Sequence, residues 1–116
     1  VKILKSYAEV EPRVLPVAGA GVTGRVLLGK ADGAVNFCMR LIEVAPGASI
    51  PAHSHPWEHE QFVVSGTGSI LKDGAPVDFG PGSVLFIAPG EEHHIRNTGP
   101  EPLRIVCLVP PFAPEL

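Results

Sequence analysis

Three histidines stand within seven positions of this chain: His53, His55 and His59, in the stretch HSHPWEHE. Imidazole is the side chain whose charge changes near neutral pH, and crowding three such rings is unfavourable unless something holds them neutral and paired. A divalent metal does that, and imidazole suits Mn, Fe, Ni, Cu and Zn. One histidine alone would read as a surface or satisfied core residue; three at this spacing reverse that reading. On a strand, the one-residue gap between His53 and His55 puts both rings on the same face. Pro56 cannot donate to a ladder, so the strand should break there. His59 then opens the stretch HEQFVVS, in which His59, Gln61 and Val63 share one face and Glu60, Phe62 and Val64 the other. His93 and His94 follow the Pro89-Gly90 turn further on. Two familiar zinc chemistries do not fit. Neither Cys38 nor Cys107 lies near the cluster, as a zinc finger would need, and no HExxH helix is present.

The elements that must position these residues read as strands. Gly 13 and Pro 13 in 116 residues, spread rather than clustered, imply many short elements and turns. Short apolar stretches predict strands over 24–29, 36–44, 59–65, 67–72, 75–79, 83–88, 92–97 and 102–109. Pro46-Gly47, Asp73-Gly74, Pro81-Gly82, Pro89-Gly90 and Gly99-Pro100 punctuate them. Lys72-Asp73-Gly74-Ala75 predicts a hairpin, since Asp-Gly accepts the positive φ of a tight turn. Breaks every 8 to 12 residues or so suit a closed or double-sheet antiparallel fold. Segment 12–24 is expected to be irregular, and the tail PPFAPEL (110–116) to pack as an extended strap or hang loose.

The chain is one domain by size, residues 1–116. With 45% hydrophobic and 18% charged residues it should fold compactly rather than stay disordered. A net charge of -3 without a basic cluster argues against a nucleic-acid partner. No apolar run approaches a membrane span, and VKILKSYAEV has no signal-peptide core, so a cytoplasmic location is expected. Cys38 and Cys107, far apart in apolar runs, read as two reduced core thiols.

The motifs resemble the cupins. The first cupin signature is matched by Gly47, ASIPA, His53-Ser54-His55, PWEHE and Gly66; the second by Gly82, SVLFI, Ala88-Pro89-Gly90, Glu91-Glu92, His93, HIR and Asn97. Ala88 stands where the second signature has proline. Motif one thus covers 47–66 and motif two 82–97, and the likeness extends over about residues 35 to 110. It implies an all-β, single-domain jelly-roll barrel. The departure lies at the acidic ligand, which the family places four or five residues after the second histidine: position 59 is histidine and position 60 glutamate. Parity alone does not choose between them. HSHPWEHE, with NFCMRL before it and LRIVCLV after it, is similar to a small subgroup of four-histidine manganese cupins with peroxide-dependent alkene cleavage. That likeness implies the metal ligands His53, His55, His59 and His93, with Glu60 as the alternative fourth ligand, and Mn as the metal ahead of Fe, Ni, Cu or Zn. His94 falls on the other face and reads as a surface residue.

Four neutral imidazoles leave the charge of a divalent ion uncompensated, so such a site should attract anionic ligands. Four protein ligands on an octahedral ion leave two positions open to substrate. No catalytic residue is identified. Gln61, two residues after His59 on its face, is a candidate to bond a metal-bound water or to line the barrel mouth. Cys107, with Ile105 and Val109 on its face, is a core thiol or, by resemblance, a cavity residue open to oxidation. Arg40 has three open readings: pairing with Glu43, pairing with Glu60, or binding an anionic substrate. Phe37 and Met39 share a face and read as core rather than pocket wall. Trp57 is expected at the barrel mouth or a subunit contact. Three functions compete: a metal-dependent oxidoreductase of dioxygenase or peroxide-dependent alkene-cleaving type on a small organic substrate; a non-redox isomerase or decarboxylase of sugars or small acids; and a non-catalytic metal- or ligand-binding module. The apolarity around the motifs favours the first, although cupins host many chemistries. A homodimer is expected, with KILKSY as an amino-terminal strand able to extend a neighbour's sheet.

Overall fold

A computed structural model describes residues 1–15 and 18–116. Among the described residues, ten strands form two antiparallel sheets facing each other. They are β1 (Arg13–Val14), β2 (Val22–Leu28), β3 (Cys38–Val44), β4 (Ser49–His53), β5 (His59–Ser65), β6 (Gly68–Lys72), β7 (Ala75–Phe79), β8 (Val84–Ile87), β9 (His93–Asn97) and β10 (Leu103–Val109). The larger sheet runs β1-β2-β3-β10-β5-β8 and the smaller β4-β9-β6-β7. This is the jelly-roll barrel expected from the motifs. The described residues contain two 3₁₀ turns, Tyr7–Glu9 and Lys30–Asp32, and no α-helix.

Period-two burial sets the inner face of each strand. In β10, Leu103, Ile105, Cys107 and Val109 are buried and the residues between them are only partly so. β5 alternates the same way, with His59, Gln61 and Val63 inside and Glu60, Phe62 and Val64 exposed. Val22, Val44, Val63, Ile95, Leu103 and Ile105 make the centre of the core, each side chain contributing about 1.5–3 kcal/mol by burial. The Asp73-Gly74 hairpin forms as expected: both residues have positive φ, and Lys72 faces Ala75 across the turn.

Several details differ from the sequence-based expectations. KILKSY forms no strand. Ser6 instead starts a 3₁₀ turn: its Oγ accepts from Ala8 N at 3.1 Å while its own N–H donates to Glu9 Oε2 at 2.9 Å. That reciprocal cap bends the chain away from an extended course. Segment 12–24, expected to be irregular, contains β1 and the start of β2, with Arg13 opposite Gly24 and Val14 opposite Thr23; Pro16 and Val17 of that segment lie outside the described residues. Phe37 precedes β3 and is 46% exposed, and Met39 is only partly buried, so neither supplies the core centre. The inward parity of β3 belongs to Cys38, Arg40, Ile42 and Val44. The tail packs as a strap: Ala113 is buried, and Glu115 Oε2 accepts from Lys30 N at 2.9 Å.

Candidate metal centre

The register explains how residues distant in sequence converge. β4 pairs with β9 so that His53 lies opposite His93, and their ring centroids are 4.3 Å apart. β4 ends at His53, before the break expected at Pro56, so His55 is not on the strand with His53; the loop that follows carries it over the same opening. Gly90 N donates to His55 O at 2.7 Å, tying the second motif's turn to the first motif's loop. His55 then sits 4.5 Å from His59 and 4.9 Å from His93, centroid to centroid. Trp57 stacks flat on His55 at 4.4 Å and 5°.

Three of the rings are held the same way. Nδ1 of His53 bonds Pro51 O at 2.8 Å, Nδ1 of His55 bonds Trp57 O at 2.8 Å, and Nδ1 of His93 bonds Glu91 O at 2.9 Å. A carbonyl only accepts, so each Nδ1 carries the proton and each Nε2 keeps its lone pair. The ligand atoms of these three residues lie within 4.8 Å of one another. His55 Nε2 is buried with no hydrogen-bond partner, a costly arrangement that a metal ion would relieve. The donor set therefore fits a divalent ion.

His59 belongs to the same wall but is oriented differently. It is 6% exposed and its Nδ1 lies 3.4 Å from Cys107 Sγ. It stands outside the tight group of three. Burial, with the Arg40 charge and then His55 and His93 adding to it, pushes its pKa down to about 3. Burial is also the main cause of the lowered pKa values of His55 and His93. The rings are thus neutral and able to ligate near neutral pH.

Glu60 lies on the opposite side of β5, exposed. A hydrogen bond with Glu58, then desolvation and the Glu58 charge, raise its carboxyl to about 7. His94 does not line the histidine cavity; it borders a separate groove beside β8. Asn97 ties backbone together, donating through Nδ2 to Val44 O and Glu101 O at 2.9 and 2.8 Å.

The histidines open into a cavity of about 390 Å³ walled by Ile42, Ile50, Ile95 and Ile105, with Arg40, Gln61 and Cys107 as further polar lining. Arg40 and Gln61 both face Cys107, from β3 and β5, in the strand register. Arg40 Nη2 donates to Cys107 Sγ at 3.0 Å and Gln61 Nε2 at 3.4 Å. Arg40 pairs with neither glutamate proposed for it: Glu43 bridges Arg25 and Arg104, and Glu60 is on the far face. Cys38 and Cys107 are both buried and free, and burial raises Cys38 to about 11. Sequence reasoning missed Leu15, Pro114 and Leu116, which close one side of the cavity. The prolines of the tail were the only signal that it would lie extended over the barrel.

A two-sheet jelly-roll that gathers histidines over an apolar interior defines the class of this protein as a jelly-roll β-barrel. The chain belongs to the cupin domain family, which it matches over residues 40–109. It is 32% identical over 96 residues to the tetracenomycin polyketide synthase protein TcmJ of Streptomyces glaucescens, covering 82% of this chain and 64% of TcmJ. It is 36% identical over 94 residues to the L-ectoine synthase of Bordetella petrii, covering 78% and 67% of the two chains. The chain thus spans just under two thirds of the length of TcmJ. Among solved structures, the polyketide cyclase RemF from Streptomyces resistomycificus superposes with a TM-score of 0.86 at 29% identity, covering 95% of this chain and 80% of RemF. Among the described residues no helix is long and apolar enough to cross a membrane.

Proposed function

We propose that this cupin is a metal-dependent oxidoreductase of the dioxygenase or peroxide-dependent alkene-cleaving type, acting on a small organic substrate. His53, His55, His59 and His93 would hold the ion, Mn ahead of Fe, Ni, Cu or Zn. The observation that carries the reading is the set of Nε2 lone pairs, one of them buried and unpartnered, at the edge of an apolar cavity. When bound, such an ion would supply Lewis-acid polarisation and redox capacity at a dry site. The protein's own residues do the rest. The three Nδ1–H bonds to backbone carbonyls fix ring orientation. Trp57 braces His55, and the isoleucine walls exclude water. A second reading, a metal-assisted cyclisation without redox change, is favoured by the likeness to TcmJ and RemF, which are described as polyketide synthase and cyclase proteins.

Metal analysis of protein purified without added metal, followed by turnover of styrene with peroxide and of a poly-β-carbonyl acid without it, separates these readings. Chelator-sensitive styrene cleavage supports the first; cyclisation alone supports the second. Protein that neither contains nor takes up a divalent transition ion would overturn both. A reducing, cytoplasmic setting suits two buried free thiols. A homodimer suits the outer face of edge strand β8, where Val84 and Phe86 are 73% and 61% exposed beside the 50% exposed Phe62.

A further inference from the structure

We propose that Arg40 is the anion-binding residue of the cavity, selecting a substrate made of an apolar body and one carboxylate. This rests on the reading of the cavity as the substrate site. Arg40 is 8% exposed, and its guanidinium is permanently charged. Its neighbours are neutral and few. Nη2 donates to Cys107 Sγ at 3.0 Å, Nη1 reaches Glu115 O at a long 3.4 Å, and Nε is buried without a partner. Among the described residues no aspartate or glutamate lines the cavity, and the ion pairs leave Arg40 out. Each nearby acid is committed elsewhere: Glu43 to Arg25 and Arg104, Glu60 to the outer face, and the Glu115 carboxylate to Lys30 N.

A buried charge without a counter-charge is costly, and proteins normally pair it. A ligand carboxylate would complete the set, because two parallel N–H donors on the planar guanidinium match its two oxygens. Ile42, Ile95 and Ile105 offer an apolar surface to the remainder of the molecule. The volume of about 390 Å³ lies in the range of small-molecule sites. Cys107 Sγ lies 3.0 Å from Arg40 and 3.4 Å from His59 Nδ1, so an acid held at Arg40 would share one cavity with the histidines. Gln61 Oε1, also buried and unpartnered, can accept a hydroxyl carried by the same ligand.

The test is calorimetric titration of the full chain with benzoate and cinnamate, each against its neutral amide. The protein is used chelator-stripped and Mn-loaded, as wild type, Arg40→Gln and Arg40→Lys, with folding checked by thermal melting. In the stripped wild type each acid should bind at least tenfold more tightly than its amide. Arg40→Gln should lose that preference, and Arg40→Lys, which keeps the charge but not the fork, should retain part of it. Equal binding of acid and amide by stripped wild type, no millimolar binding of either acid, or a preference that survives in Arg40→Gln would each overturn the proposal. A preference seen only with Mn and indifferent to position 40 overturns it while leaving the metal reading standing. A preference in stripped protein that takes up no Mn does the reverse. Should Arg40→Gln fail to melt cooperatively, loss of preference in a folded Arg40→Lys relative to wild type decides in favour, and its full retention against.

Discussion

Acid should destabilise the metal-free protein largely through His59. The ring's pKa is pushed from about 6.5 down to about 3, first by burial and then by Arg40, His55 and His93. Below about pH 6.5 the unfolded chain takes up a proton that the folded ring refuses, so the folded state loses ground. The contribution is complete above 6.5 and falls by roughly 1.4 kcal/mol for each pH unit between there and 3. At about pH 4.5 the loss is on the order of 2.7 kcal/mol from this one residue, a large part of a typical 5–15 kcal/mol stability. Other groups titrate in the same window. His55 and His93 shift in the same direction, whereas exposed Glu60, raised to about 7, acts in the opposite sense. Comparing wild type with His59→Gln removes most of that background, because glutamine is neutral throughout. Urea unfolding with chelator at about pH 7.5 and about pH 4.5 should show the wild type losing roughly 2–3 kcal/mol more than the variant. Equal losses in the two proteins would falsify the claim that His59 sits desolvated beside Arg40.

The metal site yields a second expectation: His59→Ala should weaken Mn binding by about 10- to 100-fold, while Glu60→Ala binds as much Mn as wild type by elemental analysis. A loss in the glutamate variant instead would move the fourth ligand to position 60. Gly66 has φ +82, and a Cβ there would stand 2.6 Å from Pro102 O and 2.7 Å from Leu103 Cα. Gly66→Ala should therefore cost several times the ~1 kcal/mol of Gly82→Ala, since Gly82 has φ +87 but open space around it; similar urea midpoints for the two would contradict that. Light scattering should give a dimer mass for wild type and a smaller mass for Phe86→Asp, and a monomeric wild type would refute the pairing of β8 faces.

Much of the architecture was legible because breakers and alternation are local properties. Asp73-Gly74 adopts its turn on its own chemistry, and the positions of β3, β5, β9 and β10 follow from short strand-forming runs between such breakers. The amino-terminal segment was not legible in that way. KILKSY has strand-like composition, but Ser6 and Glu9 close a reciprocal cap that only their backbone course reveals. Arg40 shows the limit most clearly. Its neighbours Met39 and Leu41 in sequence are apolar, so parity alone offered no preference for facing in or out. The pairing of β3 with β10 decided it, placing Arg40 beside Cys107.

The sequence by itself determined that three histidines and a later fourth lie on or beside strand ends in a Gly- and Pro-punctuated β fold, since spacing and turn chemistry act within a few residues. Which of His59 and Glu60 faces the cavity was beyond it, because a strand offers two equivalent faces until a second sheet covers one of them. In the folded chain the second sheet, which contains β4 and β9, covers the side that carries His59, Gln61 and Val63, and Glu60 is left in water. The same packing turns an arginine from one strand, a cysteine from another and a glutamine from a third into a single polar patch, a contact across three strands that no stretch of sequence contains.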